Sequence, residues 1–259
     1  SLDGHGADEL YCGYNFDALR ALPDAHFKMH DVDNIIRAYV DQLSDKEADV
    51  NSSEFKKKRN RIYVDNLIHY YGRRILGKPA VDSSYTGHPA WKELDNLNKA
   101  LFVSTHETVL PTLLRNYDRD SMAASVEIRM PFMDYRLVQY AFSIGWKSKL
   151  HDGYTKSIIR DAMAPFMPKD IAYRRTKVGF NAPINNWMKT CYREMFTDIM
   201  NSADFMNCDL IDNPAQVKAD FEKVLNDDSV SFSFACYHVW NKLQLFLWEQ
   251  AFIKEKGRR

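Results

Sequence analysis

Cysteine is scarce and scattered. Cys12, Cys191, Cys208 and Cys236 form no Cys-x-x-Cys pair, which removes a thiolate zinc site and a disulfide framework from consideration. A reducing, cytoplasmic setting is the simplest expectation. Net charge is missing too: 35 Lys and Arg balance 35 Asp and Glu. No strong field draws the chain to nucleic acid or to an acidic membrane, and neither partner is expected. No apolar run is long enough to cross a bilayer, and no signal-peptide pattern opens the chain. The Asn51-Ser52-Ser53 sequon means little without secretion. Runs of alternating polarity, internal repeats and low-complexity segments are lacking as well. What remains is 45% hydrophobic and 27% charged, the composition of a globular protein with one or two domains.

The apolar residues recur mostly at helical spacing. Ile35, Ile36, Tyr39, Val40 and Leu43 share one side of a helix over 31–42. Ser53 reads as the N-cap of a long helix to about residue 76. Its first turns are basic, with Lys56, Lys57, Lys58, Arg59 and Arg61. A solvated helix face explains them better than a nucleic-acid patch, because no second basic cluster supports one. Helical patterns continue over 91–115, in one piece or two, after Asp134, after Gly153-Tyr154, and over 184–200, 214–225 and 233–254. Proline stands at the tolerated first turn in Pro214, and Pro165 and Pro168 stop an earlier helix. In the last helix Tyr237, Trp240, Leu243, Leu247, Trp248 and Phe252 form an aromatic stripe, the usual mark of a core or, alternatively, surface meant for a neighbour. His106-Glu107 has no second histidine four residues from His106, so a zinc-protease helix is excluded.

Three stretches carry chemistry. Residues 1–14 read Ser-Leu-Asp-Gly-His-Gly-Ala-Asp-Glu-Leu-Tyr-Cys-Gly-Tyr. A turn built on Gly4 and Gly6 lets backbone N–H groups approach an anion, and the following helix points its positive end there. Asp8, with Glu9 beside it, is placed to hold a divalent cation against phosphate oxygens. An ordinary loop with an acidic first helical turn fits the same residues. Over 119–134, Arg119, Asp120, Glu127, Arg129 and Asp134 alternate in sign among small and apolar residues. They read either as a buried ion-pair frame or as a site. The third stretch, 173–183, is an irregular basic loop.

The residues Asp3-Gly4-His5-Gly6-Ala7-Asp8-Glu9-Leu10, with Gly13-Tyr14, resemble the nucleotide-site loop of the glutamine-hydrolysing asparagine synthetase family. Three further blocks agree, in the family's order: 119–134 followed by Leu137-Val138; Asp152-Gly153-Tyr154-Thr155-Lys156 with Arg160; and Arg174-Arg175-Thr176-Lys177-Val178-Gly179-Phe180 with Pro183 and Trp187. The resemblance implies a mainly α chain: the helical C-terminal portion of an α/β nucleotide-binding synthetase domain of the ATP pyrophosphatase, adenine nucleotide alpha hydrolase-like type. Residues 1–200 would carry the family motifs, with an insert at about 31–89, and 201–259 would form a helical extension. The family's Ser-Gly-Gly-x-Asp-Ser loop and its N-terminal glutaminase domain are not found in the sequence. The segment alone is therefore expected to make no adenylate.

The resemblance also implies a reaction. ATP would activate the side-chain carboxylate of aspartate, or of a related substrate, and ammonia from a glutaminase domain would attack the acyl-adenylate. Asp8 matches the magnesium-binding acid, with Glu9 a weaker candidate. Lys177 matches the lysine set against pyrophosphate and the intermediate. Glu127 would orient an amine. Gly4 and Gly6 would shape the nucleotide site, and Arg119, Lys156 and Arg160 are further phosphate candidates. His5 stands where relatives carry Glu, Gln or Tyr, at a position facing the substrate. Asp3 replaces a frequent Ser, and Cys12 a common Gly. A related amide-forming enzyme of a biosynthetic pathway, such as a β-lactam or peptide-cyclising synthetase, is the alternative, and a non-catalytic helical module a third reading. Assembly is left open, a homodimer included.

Overall fold

The computed structural model describes residues 1–43, 47–175 and 182–254. It is mostly helical, as the periodicity predicts. Among the described residues, β-structure is limited to one hairpin, Leu150–His151 with Tyr154–Thr155, and one parallel bridge, Leu2 with Arg129. The chain divides into two compact units, Ser1–Val178 and Gly179–Arg259.

The first unit is built around the helix Met29–Asp41. Val32, Ile35, Ile36, Ala38 and Val40 are buried against Ala18, Ala21, Leu22, Leu97, Leu101 and Leu150. Each such Leu or Ile contributes about 1.5–3 kcal/mol by leaving water. Leu43, expected on that face, lies past the helix end and is exposed. The long helix is Ser53–Ile75, capped by Ser52 rather than Ser53: the Ser52 hydroxyl accepts the Phe55 N–H at 3.1 Å. Lys56, Lys57 and Lys58 are exposed, and Arg59 donates to Asp33 at 2.8 Å, so the basic run is a solvated face.

The 91–115 pattern resolves into the short 3₁₀ turn Pro89–Glu93 and the helices Asn96–His106 and Val109–Ala123. Pro111 accounts for the second break. It has no N–H to give the carbonyl four residues earlier, so it is tolerated only in a first turn. Asp95 caps Asn96–His106, accepting the Asn98 N–H at 2.7 Å, and also accepts the Trp146 N–H at 2.8 Å. Asp134 caps Tyr135–Ser143 through the Arg136 N–H at 2.9 Å, as expected.

In the second unit the helix expected over 184–200 is two, Ile184–Lys189 and Arg193–Asn201. The Thr190 hydroxyl donates back to the Asn186 carbonyl at 2.6 Å, and the backbone leaves the helix there. These helices, grouped with the first portion by their motifs, pack with the later ones: Ile184, Met188, Phe196 and Met200 share a core with Phe205, Phe221, Val239 and Leu243. The last helical run passes through Phe232–Phe234, the π-helix Ala235–Trp240, the α-helix Asn241–Glu249 and the π-helix Gln250–Lys254. The π-helical turns rotate the buried face onto Ala235, Val239, Leu243 and Phe246. Of the aromatic stripe, Leu243 is buried, whereas Tyr237, Trp248 and Phe252 are exposed, as its second reading allows.

Candidate active site

The opening loop is fixed before its acids are placed. Gly6 has φ 95° and caps the short helix Ala7–Tyr11. Glycine is required by this conformation, and a Cβ at Gly6, 2.7 Å from Met133 Sδ, would also push the Met133 side chain aside. Gly4 has open space around it and is under no such constraint. The parallel bridge adds two main-chain bonds: Asp3 N–H to Arg129 O and Arg129 N–H to Ser1 O, each 2.9 Å. The first and second sequence blocks thus lie side by side.

The third block meets them at Asp8. Lys156 Nζ lies 2.8 Å from Asp8 Oδ1, and both side chains are under a third exposed. Lys156 has φ 53° and caps the helix Ser157–Met163. It is delivered there by the hairpin, whose turn residues Asp152 and Gly153 have φ 51° and 72°, the left-handed pair of a type I′ turn. Gly13 makes room for the carboxylate: a Cβ there would fall 1.6 Å from Asp8 Oδ1, and the Gly13 N–H donates to Asp8 O at 2.8 Å.

Arg160 is tied down rather than presented. Its guanidinium donates to the carbonyls of Thr155 at 2.6 Å and Ala172 at 2.7 Å. Burial, the largest influence, holds its pKa below the ordinary arginine value. Arg175, the second residue of the fourth block, clamps it to the third. It donates to the Gly153 carbonyl at 2.7 Å, pairs with buried Asp41 at 3.2 Å and stacks 3.6 Å over the Tyr154 ring. Lys177, two residues further, lies outside the described residues.

The remaining candidates separate. Glu9 is buried and turned inward, accepting the Tyr14 hydroxyl at 2.6 Å. Burial and this bond push the Tyr14 pKa far up. Glu127 and Arg129 pair with each other at 3.2 Å on the surface, and Arg119 is exposed on Val109–Ala123. The buried ion-pair frame, one of the two readings of this stretch, is replaced by exposed pairs, because 124–127 runs over the surface after the helix ends. His5 is part-buried. Its N–H donates to Asp3 Oδ1 at 2.9 Å, its Nδ1 contacts the same oxygen, and its ring stands 3.9 Å from that of Tyr117. Desolvation would raise the Asp3 pKa, but the bonds from His5 more than offset it and the net shift is downward.

Periodicity gives no hint of Lys149, which is fully buried beneath this loop. Its ammonium donates to Asn98 Oδ1 at 2.6 Å and faces the rings of Tyr11 and Phe142 at 5.9 and 5.3 Å. The Asp152-Gly153 dipeptide, by contrast, is a legible hairpin signal. Among the described residues no group of three or more His, Cys, Asp or Glu could hold a metal. A magnesium ion shared between one carboxylate and substrate phosphates needs no such group.

The asparagine synthase family model matches residues 1–250. The chain belongs to the asparagine synthase family. Asparagine synthetase 3 (glutamine-hydrolysing) of Bacillus subtilis is 29% identical over 197 residues, covering 73% of this chain and 29% of that protein. Asparagine synthetase 1 of the same organism is 23% identical over 278 residues, covering 99% of this chain and 41% of that protein. A putative asparagine synthetase of Mycobacterium tuberculosis is 32% identical over 77 residues, covering 30% of this chain and 12% of that protein. The chain thus spans less than half the length of these asparagine synthase relatives. No solved structure matches it. Among the described residues no helix is long and apolar enough to cross a membrane.

Proposed function

We propose that this chain supplies part of the nucleotide and substrate site of an ATP-dependent, amide-forming synthetase. The substrate carboxylate, that of aspartate or a related acid, is activated as an acyl-adenylate. Ammonia derived from glutamine then forms the amide. The observation that carries this reading is the Asp8–Lys156 pair, which joins the first family block to the third; the second block flanks the same loop at Gly6 and the Leu2–Arg129 bridge.

Asp8 would hold the magnesium ion, which when bound neutralises phosphate charge. Lys156 is the compact cation beside it, able to follow a phosphate as its contact with Asp8 loosens. Lys177 is assigned the pyrophosphate by its place in the fourth block. Arg160 and Arg175 act one step back, fixing the hairpin that presents Lys156. Glu9 is assigned to the fold. Glu127, Arg119 and Gly4 have weaker geometric support, since no contact among the described residues links them to Asp8. The setting is taken as cytoplasmic.

The histidine at position 5, where the family resemblance gives Glu, Gln or Tyr, favours a second reading within the same chemistry, in which the acceptor or amine differs from aspartate and ammonia. The test is carboxylate-dependent ATP–pyrophosphate exchange by the full-length protein, over aspartate and a panel of other carboxylates. Exchange is expected with a carboxylate. Asp8→Asn and Lys177→Ala are each expected to lower it by roughly 100-fold or more, the scale of losing a group that meets transition-state charge. Absence of exchange with every carboxylate, or near-normal exchange in Asp8→Asn, would remove the proposal.

A further inference from the structure

Residues 31–89 carry none of the four family blocks, yet the helix Met29–Asp41 ends against the hairpin that presents Lys156. Two side chains at that end reach it. Asp41 is buried and its carboxylate is shared: Oδ1 accepts the Ala48 N–H at 2.8 Å, and Oδ2 pairs with Arg37 at 3.3 Å and with Arg175 at 3.2 Å. Glu47 pairs with the same two guanidiniums, at 3.0 and 3.2 Å. Arg175 carries the contact onward. It donates to the turn carbonyls of Gly153 at 2.7 Å and Asp152 at 3.3 Å, and lies 3.6 Å from the Tyr154 ring centre. Gly153 leaves the space for this cluster, since a Cβ there would meet Arg37 Cδ at 2.6 Å. The second side chain is Gln42, whose Nε2 donates to Thr155 Oγ1 at 2.8 Å. Thr155 is buried and immediately precedes Lys156.

We infer that Asp41 and Gln42 are positioning residues for Lys156, so that a segment outside the family blocks sets the cation beside Asp8. This rests on the functional reading above. A lysine meets a phosphate through a long flexible stem, so its main chain has to be fixed for the ammonium to arrive in place. The Lys156 backbone is left-handed, with φ 53°, a conformation that a residue other than glycine keeps only when its surroundings impose it. Asp41 imposes it from the turn, through Arg175. Gln42 imposes it from the strand, through Thr155. Without the Asp41 charge, the remaining carboxylate partner of Arg175 among the described residues is Glu47, which is exposed. A buried guanidinium that loses its buried partner is drawn toward water, and the turn carbonyls then lose their donor.

The experiment uses the full-length enzyme and follows carboxylate-dependent exchange of radiolabelled pyrophosphate into ATP in a double-mutant cycle. Asp41→Asn is expected to lower exchange roughly 10- to 100-fold, the scale of a displaced reacting group. Gln42→Met is expected to lower it about threefold or more, the scale of one neutral hydrogen bond. In a Lys156→Ala background both losses should shrink to within about twofold, because the residue they position is gone. A purely structural contribution would lower exchange by the same factor in both backgrounds. Circular dichroism checks that each variant is folded at the assay temperature; if Asp41→Asn is not, Gln42→Met decides. Exchange within about twofold of wild type in the folded single variants, or losses of equal size with and without Lys156, would overturn the inference. If the wild-type enzyme shows no exchange with any carboxylate, the functional reading itself fails and this inference goes with it.

Discussion

Lys149 has no exposed surface, so its charge must be supported from within. Asn98 accepts from it, two aromatic faces flank it, and Asp95 adds a favourable field. Desolvation still wins: its pKa falls from 10.5 to about 8. The sign follows from linkage. Between about pH 8 and 10.5 the unfolded chain binds more protons than the folded one, so stability from this group rises with pH and the burial penalty is complete below about pH 8. The full penalty is on the order of 3 kcal/mol. Lys149→Met removes the titration. The stability difference between variant and wild type, measured by urea unfolding, should therefore shift toward wild type by about 1–2 kcal/mol from pH 7 to pH 9.5. A constant difference would mean that Lys149 titrates normally. At this scale the sequence discloses Asp8, Lys156 and Gly6 through motif and glycine chemistry. It does not disclose Lys149 or the partnership of Asp3 with His5. A buried lysine has the same letter as a solvated one, and a contact two residues apart across a glycine has no periodicity.

The decisive element is the shortest one. The hairpin Leu150–His151/Tyr154–Thr155 is four paired residues, yet it places Lys156 against Asp8 and offers its turn carbonyls to Arg175. Long helices are legible because their apolar spacing repeats for several turns. Met29–Asp41 and Ser53–Ile75 appear close to their predicted limits. Strands of two residues leave no alternation to read, and only the Asp-Gly turn betrays them. Over 91–115 the pattern allows two helices without showing where they part, and the break within 184–200 is hidden, because one back-bonded threonine outweighs a continuous apolar pattern. Gly153→Ala tests the hairpin's role. A Cβ there would meet Arg37 Cδ at 2.6 Å and Arg175 at 3.0 Å, with φ at 72°. The expected cost is about 1–3 kcal/mol in stability, together with weaker nucleotide binding by the full-length enzyme, read by equilibrium dialysis. Unchanged affinity would show that the hairpin does not set the site.

Among the described residues each unit assembles its own main core. One is organised by Ile35, Ile36, Leu22 and Leu97; the other by Phe205, Phe221, Val239 and Leu243. Phe205 is fully buried. Phe205→Ala should cost the second unit about 3–5 kcal/mol. Hydrogen exchange should then speed up over 184–254 while protection of the Met29–Asp41 and Asn96–His106 amides stays near wild type. Equal loss in both would show a single cooperative core. The family blocks sit in the first unit up to Arg175, and the fourth runs on toward Trp187 in the second, so their order in sequence alone gives no division of the chain.

In the proposed function Asp8 holds the metal of a bound nucleotide and Lys156 moves to its phosphates. The most direct measurement is a crystal structure of the full-length enzyme with manganese and a non-hydrolysable ATP analogue. The expected result is an anomalous peak within coordination distance, roughly 2.1 Å, of an Asp8 carboxylate oxygen, with Lys156 Nζ turned to a phosphate. A peak elsewhere, with the Asp8–Lys156 pair still closed at 2.8 Å, would contradict it.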